Sequence, residues 1–449
     1  MVHSLSLVSR FFLSPLGTAW MLIVVFAFPF SIYGDYERRI GKRADNTWDS
    51  HFSFGRNAVG FEASVNFPDL SIVGALKSAN GLGTATLVAP NFVITAAHVI
   101  KNDLADTANP SEWQFILHHT ISEASSKDYY EIDEFFIHPA WVARQNSPNT
   151  TSEGDGDAIG VDLALVRLKR SVLDIFPAKL PHTNDDPLGK RSVISGFGTL
   201  VDVNTGQSDA SNSRRTGAEN IIDRSVAKVE KAGVPENETG GLLAIDFDSP
   251  AETDNKLSRT SPVIDYLGEG NSSATPLTWE ASTALGDSGG PAFVYSNKSW
   301  RIHGVVSYGV ADSTYGDITV YTRLASHYDW LIQNLPNWSD AKVYSTSPAW
   351  SESTWLGEFT EYSNDWYFSY KLGWIYIPSP KGNFFWGWSS LINQWIWMSD
   401  ESFPAVSYYS DQNIERPWFF IDLNSSNSRS IRAYDYATKE WQAFPTLSQ

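Results

Sequence analysis

The chain has 449 residues, 42% hydrophobic and 19% charged, a balance that excludes a disordered polyelectrolyte and leaves room for two or three packed domains. A formal net charge of −18 argues against a nucleic-acid partner, which would need a basic surface; acidity of this size first of all means solubility. Cysteine is absent, which excludes disulfides and thiolate-bound metals, and a chain this long can be held by its core alone.

Arg10 precedes an apolar run from Phe11 to Phe30, the pattern of a secretory signal over residues 1–34, with Ser31 and Gly34 as small residues near a cut. The competing reading is an uncleaved anchor, because the run approaches the roughly 20 residues that span a bilayer. Either reading places the remainder outside the cytoplasm: secreted, at the cell surface or periplasmic. Residues 35–56, basic around Arg38-Arg39-Ile40-Gly41-Lys42-Arg43 and without periodicity, read as a pro-segment.

From Leu70 the pattern changes to short apolar runs punctuated by Asn80-Gly81-Leu82-Gly83 and Pro90-Asn91. Strands are predicted at 71–76, 84–88, 92–95, 113–117, 163–168, 192–195, 292–295, 302–308 and 318–322, which together indicate an all-β sandwich or barrel. Three stretches rich in Asn, Ser, Thr, Asp and Gly (146–160, 202–221 and 235–273) read as long surface loops. Asp155-Gly156-Asp157 partly matches a calcium loop but lacks the full ligand spacing, and neither metal nor cofactor is expected. Leu324, Tyr328, Leu331, Ile332 and Leu335 form a helical stripe, with Ser326 and Asp329 as a capping box and Pro336 as the stop. A domain boundary is placed near Asn337.

Beyond it the composition shifts. Ten of the 18 tryptophans lie between Trp350 and Trp441, and Trp374, Trp395, Trp418 and Trp441 are spaced by 21, 23 and 23 residues. Such a period marks a stacked repeat, here one β-hairpin per unit over 338–449. Two uses are open for the rings: mutual packing as a core, or exposed platforms for glycan or peptide at a cell surface. The period and aromatic richness loosely resemble bacterial cell-wall- and glucan-binding repeats.

One string carries chemistry. Gly286-Asp287-Ser288-Gly289-Gly290-Pro291 sets a hydroxyl among glycines, and a serine nucleophile needs a base and backbone N–H groups free for the oxyanion. Thr95-Ala96-Ala97-His98-Val99 supplies a histidine after an apolar strand; Val161-Asp162-Leu163-Ala164-Leu165 supplies an aspartate before another. Each alone reads as a turn or structural residue. Their order and local strings resemble the chymotrypsin/trypsin-like serine protease family over roughly residues 71–335.

The resemblance implies two six-stranded Greek-key β-barrels with a C-terminal helix over 57–337, followed by the smaller hairpin-repeat domain. It also implies a secreted serine endopeptidase acting on protein or peptide substrates. Ser288 would be the nucleophile, His98 the base and Asp162 its orienter, with the N–H groups of Gly286 and Ser288 as oxyanion hole. Ser307 would support the aspartate, and Ser307, Tyr308 and Gly309 would line the substrate strand. Ser282 stands where trypsin-type members carry Asp, and Thr319 would narrow the pocket, so small or medium apolar side chains are expected before the cut bond. The sequence departs from the family in lacking its disulfides (Val99 stands in one position), in Phe197 for a usual Trp, and in long insertions. The activating cut is also unresolved: Ile72-Val73-Gly74-Ala75 lies too near His98, and a cut after Arg56 would expose Asn57 as a candidate partner of Asp287. The alternative is a catalytically silent homologue that binds surfaces or glycans through its repeats.

Overall fold

Two periodicities build this protein: alternating strands that curl around two cores, and a later meander with one polar turn per strand. The computed structural model describes residues 6–13, 19–26, 48–101, 108–145, 158–201, 208–209, 213–231, 233–249, 251, 253–258, 266–310, 315–382, 384–409, 417–424 and 430–445. It divides into two units, Met1–Tyr36 and Glu37–Gln449. The first contains an antiparallel hairpin, Ser6–Leu13 with Ala19–Phe26, within the run read as a signal. No helix among the described residues is long and apolar enough to cross a membrane. The calcium-loop reading of 155–157 lies outside the described residues.

In the second unit, β1 (Val73–Lys77), β2 (Leu82–Ala89), β3 (Phe92–Thr95), β4 (Gln114–Ile116), β5 (Tyr129–Ile137) and β6 (Ala164–Leu168) close a barrel in the order β1-β2-β3-β6-β5-β4. Leu76, Leu87, Ile94, Phe115 and Leu165 fill it and are wholly buried. The second layer is a curled seven-stranded sheet: β7 (Arg191–Gly196), β8 (Thr216–Ile221), β9 (Arg224–Val226), β10 (Leu242–Asp246), β11 (Pro291–Ser296), β12 (Ser299–Val310) and β13 (Ile318–Arg323). Its order is β8-β7-β11-β12-β13-β10-β9. The expected all-β, two-barrel fold is present, with this sheet as its second half.

The structure corrects several local expectations. β8 and β10 fall within stretches read as loops. In β8 the strand signal is hidden by Glu219 and Asn220, which are buried yet satisfied: Asn220 Nδ2 donates to the Asp246 and Ala281 carbonyls. β10, Leu242-Leu243-Ala244-Ile245-Asp246, is wholly buried and was masked by its polar flanks. β5 was missed because a bulge between Ile132 and Glu134 breaks its alternation. The final helix begins as a 3-10 turn at Leu324–His327 and continues as an α-helix over Tyr328–Asn334. Its proposed capping box is absent, since Ser326 Oγ donates to the Ala227 carbonyl and the cap residue is His327.

The C-terminal region is an eleven-stranded antiparallel meander, β14 (Lys342–Val343) through β24 (Glu440–Pro445), each strand beside its sequence neighbours. Its inner strands are β15 (Trp350–Ser353), β16 (Gly357–Glu361), β17 (Trp366–Ser369), β18 (Gly373–Tyr376), β19 (Phe384–Ser389), β20 (Gln394–Ser399), β21 (Ala405–Tyr408), β22 (Trp418–Asp422) and β23 (Ser430–Asp435). Left-handed residues at Gly373, Asn393 and Lys439 form turns just before Trp374, Trp395 and Trp441, so the repeat in sequence is one hairpin in space. One face packs Phe359, Tyr367, Ile375, Phe385, Ile396, Val406, Phe419 and Ile431 into a separate core. The periodic tryptophans are on the other face.

This meander is joined to the second sheet by a buried ion pair. Arg301 Nη2 in β12 lies 2.6 Å from Asp400 Oδ2, with side-chain exposures of 1% and 4%. Arg301 Nη1 also donates to the Leu180 carbonyl, and His182 Nδ1 approaches Glu401 at 3.1 Å. Burial would raise the Asp400 carboxyl, but hydrogen bonding from His182 and the Arg301 charge together hold it below the usual range. Removing one partner strands the other charge in the interior. Asp400→Ala should therefore cost about 3–5 kcal/mol in chemical denaturation; a change under about 1 kcal/mol would show that the pair does not hold this junction.

Candidate active site

Each member of the site is held by a different element. His98 follows β3 on a short helix, Ala97–Ile100. Asp162 precedes β6, its backbone carbonyl accepting from Thr322 Oγ1 of β13. Ser288 precedes β11, and its carbonyl accepts from the Thr84 N–H of β2 at 2.8 Å. A Cβ at Gly83 would meet both Val99, next to His98, and the Ser288 carbonyl, so histidine and serine share one edge of the first barrel.

Asp162 is wholly buried. Its Oδ2 lies 2.7 Å from His98 Nδ1 and accepts from Ser307 Oγ at 2.6 Å, while its Oδ1 accepts the His98 backbone N–H at 2.9 Å. In the neutral imidazole, a proton on Nδ1 facing the carboxylate makes Nε2 the nitrogen that accepts. Ser307, expected both to support the aspartate and to line the substrate strand, touches the carboxylate directly through Oγ.

The turn carrying Ser288 depends on two left-handed glycines, Gly286 (φ 101°) and Gly289 (φ 83°). A Cβ on Gly289 would lie 2.1 Å from Thr95 Oγ1 and 2.2 Å from the Thr84 carbonyl, so the loop sits hard against β2 and β3. Thr84 Oγ1 donates to the Gly286 carbonyl, fixing the turn from beneath. Among the described residues, the N–H groups of Gly286 and Ser288 meet no protein acceptor. Asp287 Oδ1 accepts from the Gly198 N–H at 2.7 Å and Oδ2 from the Ala284 N–H at 2.8 Å. Gly196 and Gly198 have no room for a side chain, since a Cβ on either would lie 2.2 Å from an Asp287 oxygen. Phe197 is buried beside Ala75 and Ile116.

The structure brings together Ser282 and Thr319, each expected to line the pocket, and adds Thr283, which the sequence reading missed. Ser282 Oγ lies 3.2 Å and Thr283 Oγ1 3.0 Å from Thr319 Oγ1. Thr319 thus caps a hydroxyl cluster as well as adding bulk. Its register partner Gly309 is exposed, and a Cβ there would lie 2.7 Å from the Ile318 carbonyl. Tyr308 beside it is half-buried. A cavity next to Asp287 is lined by Thr199, Leu200, Ser282, Thr283 and also Trp48, from the segment read as a pro-segment. That segment forms a helix, Trp48–Gly55, with Phe54 wholly buried and His51 Nδ1 2.9 Å from the Gly217 carbonyl.

Behind the Ser282 wall lies a carboxyl cluster. Glu280 accepts the Leu277 and Asp248 N–H groups and is 1% exposed. Burial, reinforced by the charges of Asp248 and Asp246, outweighs those bonds and pushes it up to about 9. Burial likewise raises Asp223, with the neighbouring Asp246 charge adding to it.

The family model described as immunoglobulin A1 protease matches residues 54–325. Transmembrane protease serine 11C of Mus musculus is 26% identical over 254 residues, covering 55% of this chain and 46% of that protein. Phenoloxidase-activating factor 3 of Holotrichia diomphalia is 25% identical, covering 56% and 63%. Chymotrypsin-C of Bos taurus is 23% identical over 273 residues, covering 56% and 76%. The chain thus spans about half of the first of these relatives and less than two thirds of the second.

The native state binds protons at Glu280 more tightly than the unfolded chain, so this group's stabilisation is full below about pH 4.3 and is lost as pH rises through about 9. Thermal unfolding across that window should show a falling midpoint that Glu280→Gln flattens. An unchanged slope in the variant would place the dependence elsewhere.

Proposed function

The chain belongs to the immunoglobulin A1 protease family of trypsin-like serine proteases, and from that premise we propose that it is a serine endopeptidase acting on protein or peptide substrates. The observation that carries the reading is the wholly buried Asp162, bonded at once to His98 Nδ1, the His98 N–H and Ser307. Ser288 Oγ attacks the scissile carbonyl while His98 Nε2 takes its proton, giving a tetrahedral oxyanion held by the Gly286 and Ser288 N–H groups. Collapse expels the amine, which receives the proton from His98 and leaves an acyl-enzyme. Water, activated by the same imidazole, then frees the acid. Asp162 orients the imidazole and stabilises the imidazolium.

Specificity follows from the pocket wall. Ser282, Thr283 and Thr319 offer no charge to a lysine or arginine, and in this reading the β-branched Thr319 on the wall makes the pocket shallower, so small or medium apolar residues fit before the cut bond. In the same reading the protein is exported through its N-terminal signal, and residues 338–449 contact a cell surface or its polysaccharide. Activation by a cut after Arg56 would require the new terminus at Asn57 to leave bonds its side chain makes to Phe61, Pro68 and Leu70.

Fluorophosphonate labelling of the processed protein should occur and vanish in Ser288→Ala, with peptide hydrolysis falling by at least about 10⁴-fold. Labelling that is absent, or indifferent to Ser288, would favour a silent, surface-binding homologue. Across a panel of chromogenic peptides, cleavage should be fastest after Ala, Val or Leu; dominant cleavage after Arg or Lys would overturn the pocket reading.

A further inference from the structure

The outward face of the C-terminal meander takes no part in the chemistry above, and its core lies on the opposite side. Strand register sets Trp366, Tyr376, Trp388 and Trp395 directly opposite one another across β17 to β20. A second row runs from Trp386 through Trp397 and Ser407 to Trp418. The rings meet edge to face or tilted, at 5.7 Å for Trp366 and Tyr376, 6.0 Å for Trp388 and Trp395, and 5.9 Å for Trp397 and Trp418. Such pairs stiffen a sheet, yet they leave Trp386 40% and Trp395 36% exposed.

Two properties of the rows select an occupant. The first is charge. From Trp366 to Phe420, every described strand position on this face is uncharged, in a chain of net charge −18. A polyanion, whether nucleic acid, acidic glycan or anionic membrane, finds no cation at these positions, Arg432 lying beyond them over Trp441, and meets a repulsive chain. The complementary partner is uncharged. The second is geometry. The first row sets one ring on each of its four strands and the second sets rings on three of four, with Ser407 between, so that the exposed parts of Trp386 and Trp395 offer apolar ring surface beside indole N–H edges. A linear polymer whose monomers have an apolar C–H face and a rim of hydroxyls meets both features at once.

We infer that this face binds a neutral, linear polysaccharide along the two aromatic rows, an assignment that rests on the reading of 338–449 as a surface-contact region. The rows hold the polymer across the strands, and the protease body is carried with it through the Arg301–Asp400 junction.

The test is native affinity electrophoresis of the full-length protein in gels containing hydroxyethyl cellulose, laminarin or alginate, with pull-down on insoluble cellulose and chitin. The wild type should be retarded or captured by at least one neutral glycan and not by alginate. Trp388→Ala/Trp395→Ala should weaken that binding about tenfold or more while still unfolding cooperatively, at a midpoint lowered by loss of the pair, and Trp395→Phe should retain most of it. If the double variant unfolds, Trp418→Ala in the second row decides by the same readout. Equal binding by wild type and folded variants would overturn the aromatic rows while leaving polysaccharide contact to another part of 338–449. Binding to no neutral glycan, or to alginate alone, would overturn both. A concentration-dependent dimer that the double variant abolishes would assign the face to a second copy and overturn the proposal. Fluorophosphonate labelling in the same samples reports on the protease reading separately.

Discussion

A carboxylate removed from water is costly unless its charge is matched, and Asp162 is wholly removed. Its compensation comes from both halves of the two-layer β body: His98 from the edge of the first barrel, Ser307 from β12 of the second sheet. Thr322 of β13 holds the same residue by its backbone. The two halves must therefore dock correctly for Asp162 to be tolerated, and that docking also fixes the imidazole tautomer. Folding and the geometry of the candidate site are coupled through one side chain.

The same logic recurs on the serine side, with backbone in place of charge. Asp287 is received by the N–H groups of Gly198 and Ala284 and pressed against Gly196 and Gly198, where no side chain fits. Gly289 is equally confined by Thr84 and Thr95. The turn around Ser288 is thus shaped by close approach to three other strands, and its own sequence only permits the shape. The C-terminal meander is attached by a different device, the buried Arg301–Asp400 pair. A pair of that kind adds little net stability but makes the junction specific, because neither charge tolerates losing the other.

Much of this was legible in the chain. The Ser288, His98 and Asp162 strings sit beside strands whose apolar runs are plain, and the 21- to 23-residue spacing of tryptophans marked one hairpin per repeat. The signals that failed were those in which polar atoms are buried. Glu219 and Asn220 disguise β8 as a loop, and the hydroxyl of Thr283 reads as a surface residue until Thr319 is placed against it. The helix of residues 48–55 gave no periodic signal because it is short and held by single contacts such as Phe54 and His51.

Sequence alone determined the chemistry available: a hydroxyl among glycines, an imidazole, a carboxylate, no thiols and a late surplus of aromatic rings. These are properties of residue type and local spacing, which the chain carries before it folds. Only the tertiary structure decided which polar groups meet. Ser307 against Asp162, Thr283 against Thr319, Gly198 against Asp287 and Arg301 against Asp400 are pairs separated by 36 to 145 residues. It also decided that the periodic tryptophans face away from the meander's core, because strand alternation gives one face to Ile, Phe and Val and leaves the other to the rings.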